Sequence, residues 1–134
     1  MIELSNTTEQ TLQPGQSITF DDIILSTGCG ECHRRNTSSI KMRANGIYAV
    51  TFSGNIGGTV AATPVQIAIT LGGTPLPETT MISVPVAITD RNNVSISTRI
   101  RNCCGDFDRV SVTNTGTTPV VIAANSSFIV ERRS

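Results

Sequence analysis

The stretch 45–54, Asn-Gly-Ile-Tyr-Ala-Val-Thr-Phe-Ser-Gly, constrains the fold more than any other part of the chain. Tyr48, Val50 and Phe52 alternate with smaller residues, so a β-strand places the three large side chains on one face. The residues between them carry no charge, and a strand with two uncharged faces can be covered on both sides. The sequence therefore predicts a central β-strand at this position.

Shorter alternating segments recur along the rest of the chain at roughly eight- to twelve-residue spacing, with Gly, Pro and Asn between them and no helical periodicity. This pattern predicts an antiparallel sandwich or barrel. Asn45-Gly46 suits a two-residue hairpin turn into the central strand, and the glycine-rich segment 55–59 is predicted to be a loop. The predicted strands are 17–20, 23–25, 40–43, 47–53, 65–71, 81–89, 94–101, 110–112, 120–123 and 127–130.

The charge content is low for a chain of 134 residues, which is the length of one domain. Charged residues make up 15% of the chain and the formal net charge is zero, so the composition offers no attraction for nucleic acid or an anionic membrane. Between Ala44 and Thr89 the only charged side chain is Glu78. A solvent-facing surface is normally richer in charge, so this deficit predicts an interface that is buried between copies.

Residues 1–16 are polar and end in a Pro14-Gly15 turn signal, which predicts an N-terminal arm or short edge strand before a head domain at 17–134. The first residues have neither the basic region nor the apolar core of a secretory signal, so no signal peptide is expected. No apolar run reaches membrane-spanning length.

The four cysteines are the residues that most resemble a chemical site. Cys29 to His33 matches the C-x-x-C-H pattern of haem attachment, but that chemistry belongs to exported proteins. Cys29 and Cys32 have the spacing of a zinc knuckle, which Cys103, Cys104 or His33 could complete. Adjacent cysteines do not easily bond each other, so Cys103 and Cys104 could instead form disulfides with the first pair. Disulfides are slightly favoured over zinc, and free thiols without a role remain the third alternative.

Catalysis has little support in the sequence. A nucleophile would have to use His33, the only histidine, whose only acidic neighbour is Glu31. The carboxylate pairs at 21–22 and 106–108 are typical of turns and strand ends. We therefore predict a non-enzymatic protein with no catalytic residue and no cofactor apart from zinc at the cysteines.

Four segments in order resemble the globular head shared by complement first-component subunits, tumour necrosis factor ligands and bacterial collagen-like spore-surface proteins. Segment 17–21 is similar to an early Phe-containing strand and 45–50 to a Gly-x-Tyr-x-Phe strand. Segment 105–110 is similar to a Gly-Asp-x-Val turn and 127–130 to a closing Ser-x-Phe strand. The resemblance implies an all-β, antiparallel two-sheet jelly-roll sandwich of about ten strands that assembles as a compact homotrimer. It also implies that both cysteine-bearing loops lie at one end of the sandwich.

The resemblance is greatest to bacterial and bacteriophage members, because aromatic residues are only 4% of the chain. It implies a structural or adhesive protein on a phage virion surface: a capsid decoration, head-fibre or fibre-tip protein. Its partners would be its own copies, a major capsid or other virion protein and a host surface glycan, with attachment within Met1 to Gln16. A Gram-positive spore- or cell-surface head and a carbohydrate-binding module are the alternatives. The expected core or trimer contacts are Tyr48, Val50, Phe52 and Phe128.

Overall fold

The computed structural model of the protein describes residues 2–26, 31–32, 39–42, 46–72, 74–102 and 109–133. Within these ranges the chain forms thirteen β-strands and one turn of 3-10 helix at Pro77–Thr79. The strands are β1 (Ile2–Ser5), β2 (Gln10–Leu12), β3 (Asp22–Ser26), β4 (Glu31–Cys32), β5 (Ile40–Met42), β6 (Gly46–Gly58), β7 (Val65–Leu71), β8 (Thr74–Pro75), β9 (Met81–Ser83), β10 (Asn92–Asn102), β11 (Arg109–Asn114), β12 (Val120–Ile122) and β13 (Ser127–Arg132).

The strands form two antiparallel sheets around one hydrophobic core. The seven-stranded sheet has the order β2-β12-β6-β13-β1-β3, and β10 pairs with the other edge of β6. The six-stranded sheet has the order β4-β5-β11-β7-β8, and β9 also pairs with β7. The predicted all-β, two-sheet antiparallel sandwich and the central position of β6 are confirmed. No helix in the described ranges is long and apolar enough to cross a membrane.

The core uses the inward face of β6. Tyr48, Val50 and Phe52 are fully buried, as is Phe128, which lies directly opposite Phe52 on β13. The rings of Phe52 and Phe128 meet edge to face with their centroids 6.4 Å apart, and Phe20 stacks on Phe128 at 5.3 Å. Such aromatic pairs add stability beyond the area they bury. Because the chain itself encloses these side chains completely, they are core residues.

Residues 2–12 are part of the seven-stranded sheet. β1 lies between β13 and β3, and its inward side chains Ile2 and Leu4 are buried in the core. β2 forms an edge of the same sheet beside β12. The predicted arm region therefore supplies one inner strand and one edge strand.

The predicted hairpin between 40–43 and β6 is wrong, because the two segments belong to different sheets. Ile40 and Lys41 pair with β11, and Lys41 also pairs with Cys32 of β4. The connection thus crosses from the six-stranded to the seven-stranded sheet. Gly46 has a φ of 149°, which a glycine adopts readily.

The glycine-rich segment 55–59 is not the predicted loop, since β6 continues through Gly58. A Cβ atom on Gly57 would lie 2.5 Å from the carbonyl oxygen of Asp90, which is closer than real Cβ atoms come. Glycine at this position therefore allows a close approach of backbone rather than a turn.

Two predicted strands are also shorter than expected. Ser17 makes only an isolated bridge to Thr113, although Ile18 and Phe20 are fully buried. The predicted strand at 81–89 ends at Ser83, and the chain then leaves the sheet. Pro85 lacks the N–H group that a ladder would need, which explains the early end.

Candidate interaction surfaces

The outward side chains of β10, β6, β13, β1 and β3 form one broad surface, which we call the outer face. The strand register aligns five residues across it, in the order Ser97, Thr51, Ile129, Glu3 and Leu25. Ser97 and Thr51 share a hydrogen bond of 3.2 Å between their hydroxyls. This face consists mainly of short, uncharged side chains on a regular sheet, so it is suited to close packing against another surface.

A shallow concavity of about 300 Å³ lies on the outer face. Its floor consists of the short side chains Ala49 and Thr51, because Ala49 is flanked across the sheet by the longer Arg99 on β10 and Glu131 on β13. Arg133 approaches Glu131 at 3.9 Å. Hydroxyls, one carboxylate and two guanidinium groups line the concavity, so it can bind a polar group; the lining has no histidine or thiol that could act as base or nucleophile.

The second surface is an exposed group of aliphatic side chains, which we call the apolar patch. Val86 is 77% exposed and Ile82 is 61% exposed, and the other members are about half exposed. The backbone nitrogen of Ala62 donates to the Pro85 carbonyl at 2.9 Å, which brings the chain around Val60 beside the segment 82–88. The apolar patch consists of Val60, Ile82, Val84, Val86 and Ile88.

Polar contacts hold the backbone of the apolar patch in place. The Arg91 guanidinium donates to the carbonyl oxygens of Ile88 and Asp90 at 3.0 and 2.9 Å. The Asp90 carboxylate accepts from the backbone nitrogen of Ala87 at 3.1 Å. The patch is therefore an ordered surface. Sequence reasoning missed it, since the alternation at 81–89 suggested a strand; the signal available was Pro85 between two valines.

The remaining large exposed aliphatic side chains lie on or beside the outer face. Leu25 belongs to the five-residue row, and Ile47 lies on β6 two positions before Ala49; each is 40% exposed. Ile24 is the extra residue at a bulge in the pairing of β1 with β3, and it is 55% exposed. Thus the described residues have two separate apolar surfaces, one on the outer face and one at the apolar patch.

The predicted cysteine site falls largely outside the described residues. Of Cys29, Cys32, Cys103 and Cys104, only the backbone of Cys32 is described, and it pairs with Lys41. The flanking strands still locate the segments between them. β10 ends opposite Gly46 where β6 begins, and β11 begins at Arg109 beside Lys41. Three residues separate the end of β5 from the start of β6. A segment of this length can span the roughly 10 Å between two packed sheets.

All these strand ends therefore lie at one end of the sandwich, as the resemblance implies for the two cysteine-bearing segments. The side chains that the structure describes include no group of three metal-binding residues. Disulfides or zinc at the four cysteines remain predictions.

The two antiparallel sheets, the order β3-β1-β13-β6-β10 and the central aromatic strand define a jelly roll of the kind found in tumour necrosis factor ligands and complement heads. Solved structures support this class. The globular domain of zebrafish complement 1qA protein matches with a TM-score of 0.67 at 13% identity, covering 98% of both chains. Eiger TNF from S. frugiperda matches with a TM-score of 0.76 at 10% identity, covering 99% of this chain and 91% of that one.

A virion protein has the same fold. PRD1 vertex protein P5 matches with a TM-score of 0.56 at 16% identity, covering 99% of this chain and 96% of that one. No protein-family model matches the sequence, and no curated protein matches it either. The predicted jelly-roll resemblance is confirmed, and at these identities the likeness establishes the fold.

Proposed function

We propose that this chain is a non-enzymatic structural subunit of a bacteriophage virion surface: a trimeric jelly-roll head that decorates a capsid or terminates a fibre. The likeness to a virion vertex protein over nearly the whole of both chains supports the virion setting. The resemblance to complement and tumour necrosis factor heads supports a trimer. The observation that carries the proposal is the apolar patch, because single-domain monomers rarely keep such a surface in contact with water.

The trimer would form through two different surfaces on each copy. A cyclic trimer needs a heterologous interface, in which one surface of a copy meets another surface of the next copy. The apolar patch supplies exposed aliphatic side chains, and the outer face supplies Leu25 and Ile129 among small residues. Burial of Val86 and Ile82 against that face would remove two of the most exposed aliphatic side chains from water.

Replacing Val86 with Asp tests this assembly. The variant places a charge at the centre of the proposed interface, so we expect native mass spectrometry to find monomer where the wild type is trimeric. Thr117→Asp is the matched control, because Thr117 is an exposed residue that belongs to neither surface. Circular dichroism should be unchanged in both variants. A monomeric wild type, or a trimer that Val86→Asp leaves intact, would contradict the proposal.

The virion setting needs a separate experiment. Particles from a lysate that contains the protein would be purified by density-gradient centrifugation, and their proteins identified by mass spectrometry. We expect the protein to sediment with intact particles at a fixed ratio to the major capsid protein. Its sedimentation with spores or cell envelopes instead would reject the virion proposal in favour of a spore- or cell-surface head.

Attachment within Met1 to Gln16 would have to use side chains rather than a detachable arm. The backbone of β1 is paired on both sides, so the residues of this region that remain available are in the exposed turns 7–9 and 13–16. Substitutions in these turns test attachment without removing a strand.

A further inference from the structure

Most described basic side chains lie toward one end of the sandwich and most carboxylates toward the other, although the formal net charge of the sequence is zero. β10 and β13 end at Asn102 and Arg132, beside Gly46 where β6 begins, and β11 begins at Arg109 at the same end of the sandwich. We call this the basic end. Its basic residues are Lys41, Arg99, Arg101, Arg109, Arg132 and Arg133.

Basic side chains outnumber carboxylates among the described residues of this end. Among the described residues, Glu131 lies at this end, the backbone of Glu31 pairs there with Met42, and Glu3 pairs with Ile129 on this side of the middle of the sheet. All five arginines of the basic end are exposed. Arg109 donates to the hydroxyl of Ser39 at 3.2 Å, a neutral partner, so its charge is not compensated by that contact. The described side chains of the basic end therefore carry a positive formal charge.

The opposite end of the sandwich is acidic. Arg91 lies beside Gly57 near the end of β6 and forms an ion pair with Glu9 at 3.2 Å. Asp22 pairs with Ser5, which lies on this side of the middle of the sheet. The carboxylates of this end are Glu9, Asp21, Asp22 and Asp90.

We propose that the basic end is the surface through which the head docks onto an acidic protein surface of the virion. This inference rests on the proposed virion role and adds the chemistry of the partner. It replaces attachment through the turns 7–9 and 13–16 with docking at the opposite end of the sandwich, and the variants below compare the two sites. Guanidinium groups bind carboxylates in a bidentate, planar geometry, so exposed arginines suit a partner rich in Asp and Glu. β1 begins and β13 ends at this end, so chain extending from either terminus would start beside the docking surface.

Three features favour a protein over nucleic acid or a membrane. Glu131 lies among the arginines and would repel a phosphate backbone. Ile47 is 40% exposed beside Arg101, its pair on β10, and an aliphatic side chain within a charged rim is typical of protein interfaces. The described aromatic side chains are buried in the core, so they offer no stacking platform for bases or for a membrane interface.

Trimerisation would strengthen this docking. A three-fold axis that runs parallel to the strands would bring the three basic ends to the same side of the assembly, so one partner surface would meet three cationic clusters at once. Their summed field would speed association at low ionic strength, and simultaneous engagement would raise avidity without any new contact.

The test compares two variants of equal net charge. The first, Arg101→Gln with Arg109→Gln and Arg132→Gln, removes three cations from the basic end. The second, Thr8→Glu with Gln13→Glu and Thr117→Glu, adds three anions at exposed turn positions of the acidic end. Binding of each trimer to fluorescent polyglutamate, a short DNA duplex and phosphatidylglycerol vesicles would be measured at low and high salt.

We expect the wild type to bind polyglutamate, and the Arg→Gln variant and high salt each to weaken binding about tenfold. The Thr/Gln→Glu variant should stay within about twofold of wild type, since its added charges are at the far end. Equal weakening by both variants, or no binding of polyglutamate, would overturn the inference. Tighter binding to DNA or to the vesicles would overturn the choice of partner.

A particle assay separates this inference from the proposed function. Loss of the Arg→Gln trimer from particles that retain the Thr/Gln→Glu trimer would support docking through the basic end. The reverse order would overturn it in favour of attachment through the turns 7–9 and 13–16, with the virion role intact. Absence of the wild type from particles, despite binding to polyglutamate, would reject the virion role and leave the basic end as a docking surface.

Discussion

Gly57 lies on the central strand where three backbone segments come together. A Cβ atom there would be 2.5 Å from the carbonyl oxygen of Asp90 and 2.6 Å from the Arg91 guanidinium. The first of these atoms is backbone and cannot rotate away. Because Arg91 also holds the carbonyl of Ile88, the size of residue 57 affects both the sheet and the apolar patch.

Gly57→Ala should therefore destabilise the protein by about 1–3 kcal/mol, the usual cost of overpacking a buried position. Gly58→Ala is the matched control on the same strand, where the nearest atom is a methyl group of Val65 at 3.2 Å that can move slightly. Urea denaturation of both variants would measure the difference in the free energy of unfolding. Equal stabilities would mean that the chain at Asp90 and Arg91 does not lie against β6 as described.

At the scale of the element, alternation in sequence predicts strands well where one face is buried. β7 has its predicted limits, and β10 begins two residues earlier and ends one residue later than predicted, because β-branched or large aliphatic residues occupy every second position of both predicted segments. Alternation does not predict the strand limits where a glycine allows close packing within a strand or a proline ends one. Glycines 57 and 58 suggested a loop but continue β6, and the alternation around Pro85 suggested a strand but forms the apolar patch. Such outcomes depend on tertiary neighbours that a local pattern does not contain.

β1 is the element whose removal is most informative. It pairs with β13 and β3, and it buries Ile2 and Leu4, each worth about 2–3 kcal/mol of hydrophobic stabilisation. A single domain is stable by only about 5–15 kcal/mol, so deletion of residues 1–9 should abolish cooperative thermal unfolding. Deletion of residues 133–134 is the control and should keep a transition close to that of the wild type. A truncated protein that still unfolds cooperatively would indicate that β1 is an appendage.

At the scale of the molecule, the sequence predicts the fold class and the charge-poor middle but not the polarity of the sandwich. Zero net charge conceals this polarity, since Lys41, Arg101 and Arg132 are far apart in sequence and come to the same end of the sandwich only through strand register. The existence of an interaction surface could be predicted from the sequence, but its position could not. The missing charge between 44 and 89 indicated an interface, whereas its two contributing surfaces depend on which side of each strand faces water.

The cysteines add a last whole-molecule prediction, because the strands that bound both cysteine-bearing segments end at the basic end. Disulfides between Cys29 or Cys32 and Cys103 or Cys104 would cross-link two segments at the basic end, and such bonds persist in proteins outside cells. We expect the oxidised protein to be lighter than its reduced form by about two hydrogen masses per bridge. Reductant should lower the thermal midpoint without changing the oligomeric state, and a chelator should change neither. A mass that rises by one zinc ion per chain, lost on chelation, would show instead that the same thiols hold metal.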